Sequence, residues 1–165
     1  KSSFLMNNSA SESELVETSI GQGKTGTTPL FMAAFTAAIA NDGVMMQPYI
    51  VEKYQHYNGE EYNQSIPEKI NTIMSPEEAE VLKSLMVEVV TSGTGSTAAI
   101  NGWEIGGKTG TAENATGTDH SWFVGFAPAE DPKIAVAVVL ENPKSGRKAA
   151  PIAGKIFKAY KDITE

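Results

Sequence analysis

The sequence predicts an α+β fold, an antiparallel sheet flanked by helices, on three observations. Two strand candidates, 121–127 and 134–140, follow one another across a turn too short for a parallel crossover. Helix-period segments begin near Leu30, near Pro76 and near Ile152, before and after those strands rather than alternating with them. A hairpin signal, Asn58-Gly59, sits between the first two helices.

Taken in order, residues 1–19 are polar and read as loop. A glycine cluster, Gly21-Gln22-Gly23, leads to Thr28-Pro29, a cap followed by a residue suited to the first helical position. The helix from Leu30 to Ala40 is apolar nearly all round, so it is expected to be buried, with Gly43 ending it. Residues 48–64 read as a hairpin, with Tyr49, Ile50, Val51, Tyr54 and Tyr57 before the turn and Tyr62 after it. Ser75-Pro76-Glu77-Glu78 fits a capping box and opens a second helix. Its stripe runs through Val81, Leu82, Leu85, Met86, Val89 and Val90, and the turn Gly93-Thr94-Gly95 follows it. Trp103 to Thr111 reads as a glycine-containing strand. The run 134–140 is apolar on both faces and calls for a layer on either side. Ile152, Ile156, Phe157 and Tyr160 mark a closing amphipathic helix.

Length and composition bound the function. At 165 residues, 41% hydrophobic and 20% charged, the chain has the size and balance of one soluble domain. Thirteen Lys and Arg against 20 Asp and Glu leave a charge of −7, with no cationic cluster to neutralise phosphates, which argues against nucleic acid as a partner. The absence of cysteine removes thiol chemistry and Cys-based zinc, and the isolated His56 and His120 make no metal site, so no cofactor or metal is expected. The chain opens at Lys1, which is consistent with a piece of a longer protein.

Three motifs compete. Gly102-Trp103-Glu104-Ile105-Gly106-Gly107-Lys108-Thr109 satisfies the phosphate-loop pattern and supports a nucleotide-binding alternative. Such a loop must follow a buried strand and open a helix, and the flanking residues favour neither. Ser145-Gly146-Arg147-Lys148 matches a Ser-x-x-Lys nucleophile pair but lies between Pro143 and Pro151 and reads as a solvated turn. Lys108-Thr109-Gly110-Thr111 repeats the tetrapeptide of Lys24-Thr25-Gly26-Thr27, yet it alone ends a strand followed by two more. There, a cation and hydroxyls suit a carboxylate, and Gly106, Gly107 and Gly110 are expected to admit a second backbone.

The block Gly107-Lys108-Thr109-Gly110-Thr111-Ala112-Glu113, followed by His120-Ser121-Trp122-Phe123-Val124-Gly125-Phe126-Ala127-Pro128, resembles the transpeptidase domain of penicillin-binding proteins. Ser19-Ile20-Gly21-Gln22-Gly23, Thr28-Pro29-Leu30, Met32-Ala33 and Ile39-Ala40-Asn41-Asp42-Gly43 resemble the same family in the same order. The strand Phe123–Pro128 and Thr111-Ala112-Glu113 lean toward its monofunctional, class B type. The resemblance implies the penicillin-binding and serine β-lactamase-like fold, and serine acyl transfer from D-Ala-D-Ala stem peptides in cell-wall synthesis. It also implies acylation by β-lactams, and action outside the cytoplasmic membrane through an anchor beyond this chain.

By that resemblance Lys108 supplies positive charge and orients the nucleophile, and the hydroxyls of Thr109 and Thr111 bind a carboxylate. Gly110 completes the motif, and the Thr111 amide forms half the oxyanion hole. The substrate is expected to pair along the strand edge, backbone to backbone. The family's other motifs, a helix-borne Ser-x-x-Lys and a Ser-x-Asn, have no counterpart here. Residues 1–165 are therefore expected to be the C-terminal half of a transpeptidase domain, inactive alone, whose partners include the missing N-terminal half. Exposed sheet edges open the way to self-association. A β-lactam sensor of the same fold is the alternative within the family. Trp122 and Phe123 are expected in the core, His120 at the rim of the site, and the loop Glu113–Asp119 as a mobile gate. Gln22 and Thr28 are expected to shape the entry to the buried helix rather than to serve chemistry.

Overall fold

The computed structural model describes residues 2–4, 7, 9–114, 117–143 and 148–165. Its order is α1 (Glu12–Ser19), α2 (Pro29–Ala40), β1 (Val44–Met46), β2 (Tyr54–Gln55), β3 (Glu61–Tyr62), β4 (Lys69–Thr72), α3 (Pro76–Thr91), a 3₁₀ turn (Ser96–Ala98), β5 (Gly106–Ala112), β6 (His120–Ala127), β7 (Ile134–Leu140) and α4 (Ala150–Thr164). The main sheet is antiparallel in the order β5-β6-β7, and two small ribbons pair β1 with β4 and β2 with β3.

Caps set the helix starts. The Thr28 hydroxyl accepts the Phe31 amide at 3.2 Å, and Ser75 and Glu78 form the reciprocal capping box expected of them. The Gly43 amide turns back to the Ala38 carbonyl at 2.8 Å and closes α2. The start of α4 has no local cap, because its N-cap residue is Ala149; the Ser121 hydroxyl of β6 accepts the Ala149 amide instead, at 3.1 Å in a buried position.

Side-chain alternation gives the sheet two apolar faces. One carries Phe123, Ala127 and Val136 against Ala150, Ala153 and Phe157 of α4. The other carries Phe126, with Val124 and Ala135, against Ile39 of α2 and Met86 of α3. The result is three layers, α4, sheet, then α2 with α3, as the doubly apolar run 134–140 requires. Phe123, Phe126 and Phe157 are fully buried, and each contributes roughly 2–3 kcal/mol of hydrophobic stabilisation.

Several expectations are corrected. Residues 12–19 are helix, not loop: Ser11 and Glu14 form a second capping box, though none of the helix's residues is buried. The hairpin at Asn58-Gly59 forms but is shorter than expected, with Tyr54 opposite Tyr62 and with Tyr49, Ile50 and Val51 exposed outside it. Burial of α2 is partial, since Thr36, Ala38 and Ile39 are enclosed while the first turn is open, with Leu30 66% and Phe31 42% exposed. Val81 and Leu85 of the α3 stripe are likewise exposed. The strand expected from Trp103 starts at Gly106, after an isolated bridge between Ile100 and Trp103. Ser145, Gly146 and Arg147 lie outside the described residues, as do positions 115 and 116 of the expected gate. Among the described residues no helix is long and apolar enough to cross a membrane.

Candidate active site at the open edge of β5

Strand β5 has β6 on one side only, so its other edge is open among the described residues. The pairing Gly106↔Phe126 through Ala112↔His120 is unbroken, which holds the Lys108–Thr111 tetrad straight. Opposite pairs share a face, so Lys108 and Gly110 lie with Val124 and Trp122, on the side of α2 and α3. Thr109 and Thr111 lie with Phe123 and Ser121.

Alternation thus separates the Lys108 side chain from the two hydroxyls, and the backbone edge brings their residues back together. Lys108 Nζ donates to the Thr109 carbonyl at 2.8 Å, and the Thr109 hydroxyl lies 2.7 Å from that of Thr94, in the turn after α3. The four residues Lys108, Thr109, Gly110 and Thr111 line a cleft of about 440 Å³ with Met32, His120 and Trp122. Lys108 also stands at the rim of a second, strongly apolar cleft of about 730 Å³ between α2 and α3.

Two glycines serve differently from the expectation. A Cβ on Gly106 would lie 2.3 Å from the Phe126 ring and one on Gly107 would lie 2.3 Å from the Phe123 ring, so both make room for buried rings. They do not admit a second backbone. Gly110, whose Cβ position is 3.1 Å from the Trp122 Cβ, does lie exposed on the cleft. Of the two aromatics expected in the core, Phe123 is buried whereas Trp122 is half-buried and lines the cleft. His120 sits at the rim as expected, and its Nδ1 accepts the Asn142 amide at 3.1 Å.

Gln22 is the residue that sequence reasoning placed wrongly. Its Nε2 donates to the Thr111 carbonyl at 3.0 Å, and its Oε1 accepts the Glu113 amide at 3.2 Å. No local pattern signals this, because the partners lie 89 and 91 residues further along the chain. A strand's alternate residues direct both backbone groups to the same edge, so Thr109, Thr111 and Glu113 face outward together. The nucleotide-binding reading fails on the same geometry. Among the described residues Lys108 lies within a strand that runs to Ala112 and the next element is another strand, where a phosphate loop would open a helix.

Known proteins share the fold that carries this edge. The family model described as penicillin binding protein transpeptidase domain matches residues 1–158. The chain is 43% identical over 148 residues to peptidoglycan D,D-transpeptidase PbpA of Mycolicibacterium smegmatis, covering 81% of this chain and 29% of that protein. It is 34% identical to peptidoglycan D,D-transpeptidase MrdA of Acinetobacter baumannii, over 87% of this chain and 24% of that one. Penicillin-binding protein A from M. tuberculosis, solved as an imipenem acyl-enzyme complex, superposes with a TM-score of 0.83 at 38% identity, covering 91% of this chain and 34% of that one. The chain thus spans less than a third of the length of these two curated relatives. With the family model covering nearly its whole length, the chain belongs to the penicillin-binding protein transpeptidase domain family.

Proposed function

We propose that this chain is the C-terminal, substrate-binding half of a serine-type peptidoglycan D,D-transpeptidase. The observation that carries the reading is the open β5 edge, where Lys108, Thr109 and Thr111 stand together on one cleft. A D-Ala-D-Ala stem peptide, or a β-lactam in its place, adds to that edge as a short strand. The Thr109 and Thr111 hydroxyls hold its carboxylate, with the Lys108 ammonium adding positive charge. The Thr111 amide donates to the carbonyl oxygen as negative charge develops there. Loss of one such donor generally costs about 10²–10³ in rate.

The nucleophilic serine and its lysine come from a segment outside this chain. Two features support that assignment: relatives more than three times as long, and the apolar cleft between α2 and α3 with Lys108 at its rim. In the intact protein the serine hydroxyl attacks the penultimate D-Ala carbonyl and its proton passes to the lysine. The terminal D-Ala leaves as the amine, taking that proton. An acceptor amine then attacks the acyl-serine carbonyl, forming the new amide as the ester bond breaks and a proton from the amine returns to the serine oxygen. The intact protein acts at the outer face of the cytoplasmic membrane, anchored by a segment not in this chain. By itself the chain self-associates through the edges of β5 and β7 that are open among the described residues.

Mass spectrometry after incubation with penicillin tests the assignment. The isolated chain is expected to gain no covalent adduct, while the chain joined to its proposed N-terminal half gains one penicilloyl group on a serine. An acyl-serine on the isolated chain would sink the assignment. Failure of the joined protein to be acylated would sink the transpeptidase reading.

A further inference from the structure

The Gln22 carboxamide makes the contacts of an added strand. Its donor meets an outward carbonyl of β5 and its acceptor meets the next outward amide, two residues on. The loop that presents it is itself tied down. The Gln22 amide donates to the Glu17 carbonyl at 2.8 Å and the Gly21 amide to the Thr18 carbonyl at 3.0 Å. Gly21 and Gly23 flank it with φ of +77° and +68°, a conformation that L residues with side chains rarely adopt.

We propose that Gln22 is a positioning residue for the Thr111 amide. The inference rests on the transpeptidase reading, in which that amide receives the reacting carbonyl oxygen. In an antiparallel pair, the residue whose carbonyl meets the Thr111 N–H sends its own N–H toward the Thr111 carbonyl. That carbonyl has two lone pairs, so it accepts the ligand's N–H while Gln22 holds the other. Past Thr111 the edge is closed, because Gln22 already occupies the Glu113 amide. Gln22 therefore fixes the end of β5 in register and sets the point at which an incoming peptide stops pairing.

Two variants separate the roles. Gln22→Ala removes both bonds, whereas Gln22→Glu keeps an acceptor for the Glu113 amide and loses the donor to Thr111. Amide hydrogen exchange on this chain is expected to quicken about tenfold at Glu113 in Gln22→Ala and to stay near wild type in Gln22→Glu, as the loss of neutral hydrogen bonds implies. In the protein joined to its nucleophile-bearing segment, both variants are expected to lower the maximal rate of acylation by a fluorescent penicillin about tenfold. Apparent affinity and melting temperature stay near wild type. Unchanged exchange at Glu113 in Gln22→Ala overturns the clamp. Faster acylation in either variant makes Gln22 an obstacle and overturns the positioning role, as does a loss confined to melting temperature. A wild-type joined protein that penicillin does not acylate overturns the transpeptidase reading, and with it the effect on rate. The exchange at Glu113, which needs neither ligand nor nucleophile, still reports on the clamp.

Discussion

The hydroxyl of Thr109, on the strand that carries the candidate site, lies 2.7 Å from that of Thr94, in the turn that ends α3. A hydroxyl has one proton and two lone pairs, so Thr109 can accept from Thr94 and keep its own proton for a carboxylate. Thr94→Val keeps the shape and removes that donor. A lost neutral hydrogen bond amounts to about 0.5–1.5 kcal/mol, or roughly 2- to 12-fold, and the deficit is expected in β-lactam acylation of the joined protein. Melting should barely change, because Thr94 is exposed, and Thr94→Ser should restore the rate. A fall in melting temperature at an unchanged rate would show that the pair merely braces the turn.

Gly107 tests a different relationship. An added methyl would lie 2.3 Å from the Phe123 ring, which is fully buried in the layer beneath α4. The ring has nowhere to go, so Gly107→Ala is expected to destabilise by about 1–3 kcal/mol, a loss of several degrees in a thermal melt. Gly110→Ala, at an exposed position of the strand, should lose less. Equal melting temperatures for the two variants would mean that room for the ring is not what Gly107 provides.

The Ser121 hydroxyl and the Ala149 amide form a cap between two elements, 28 residues apart and buried. In Ser121→Ala that amide keeps no acceptor, at a cost of about 1–3 kcal/mol. Exchange should quicken first in the opening turn of α4. A variant that melts like wild type, with α4 amides equally protected, would show that Ser121 does not cap α4.

Legibility in the sequence followed the range of the interaction. The starts of α2 and α3 could be read because Thr28-Pro29 and Ser75 with Glu78 act within one turn. The strands β6 and β7 could be read because both of their faces are apolar. The capping box of α1 is equally local, but it opens a helix with no buried face, and without an apolar stripe it read as loop. The β1–β4 ribbon escaped notice because all four residues of β4 are exposed. At the site, the tetrad Lys108–Thr111 was legible as a motif. Gln22 was not, because its role exists only once the chain brings residues 22 and 111 together. Partial burial of α2 has the same root: periodicity marks an apolar surface but not what covers it.

The ion pair between Glu14 and Lys24 bears on that same Gln22 loop, which it straddles. The Lys24 ammonium lies 2.5 Å from Glu14 Oε1, and with help from the Ser11 amide and hydroxyl it lowers the Glu14 carboxyl to about 2. The reciprocal attraction raises Lys24. A depressed carboxylate favours folding in its ionised form, so its contribution is complete above about pH 4.5 and is lost as pH falls through about 2. Both groups are exposed, so salt screens the pair and little global stability depends on it. A carboxyl carbon-13 titration at low salt should therefore give a Glu14 midpoint near 2, moving up toward the ordinary range in 1 M salt. Glu14→Gln at neutral pH should loosen the loop without lowering the melting temperature, and so quicken exchange at Glu113 by less than Gln22→Ala does. An ordinary midpoint at low salt would show that the pair does not hold the loop, leaving Gln22 to be held by its backbone bonds to α1.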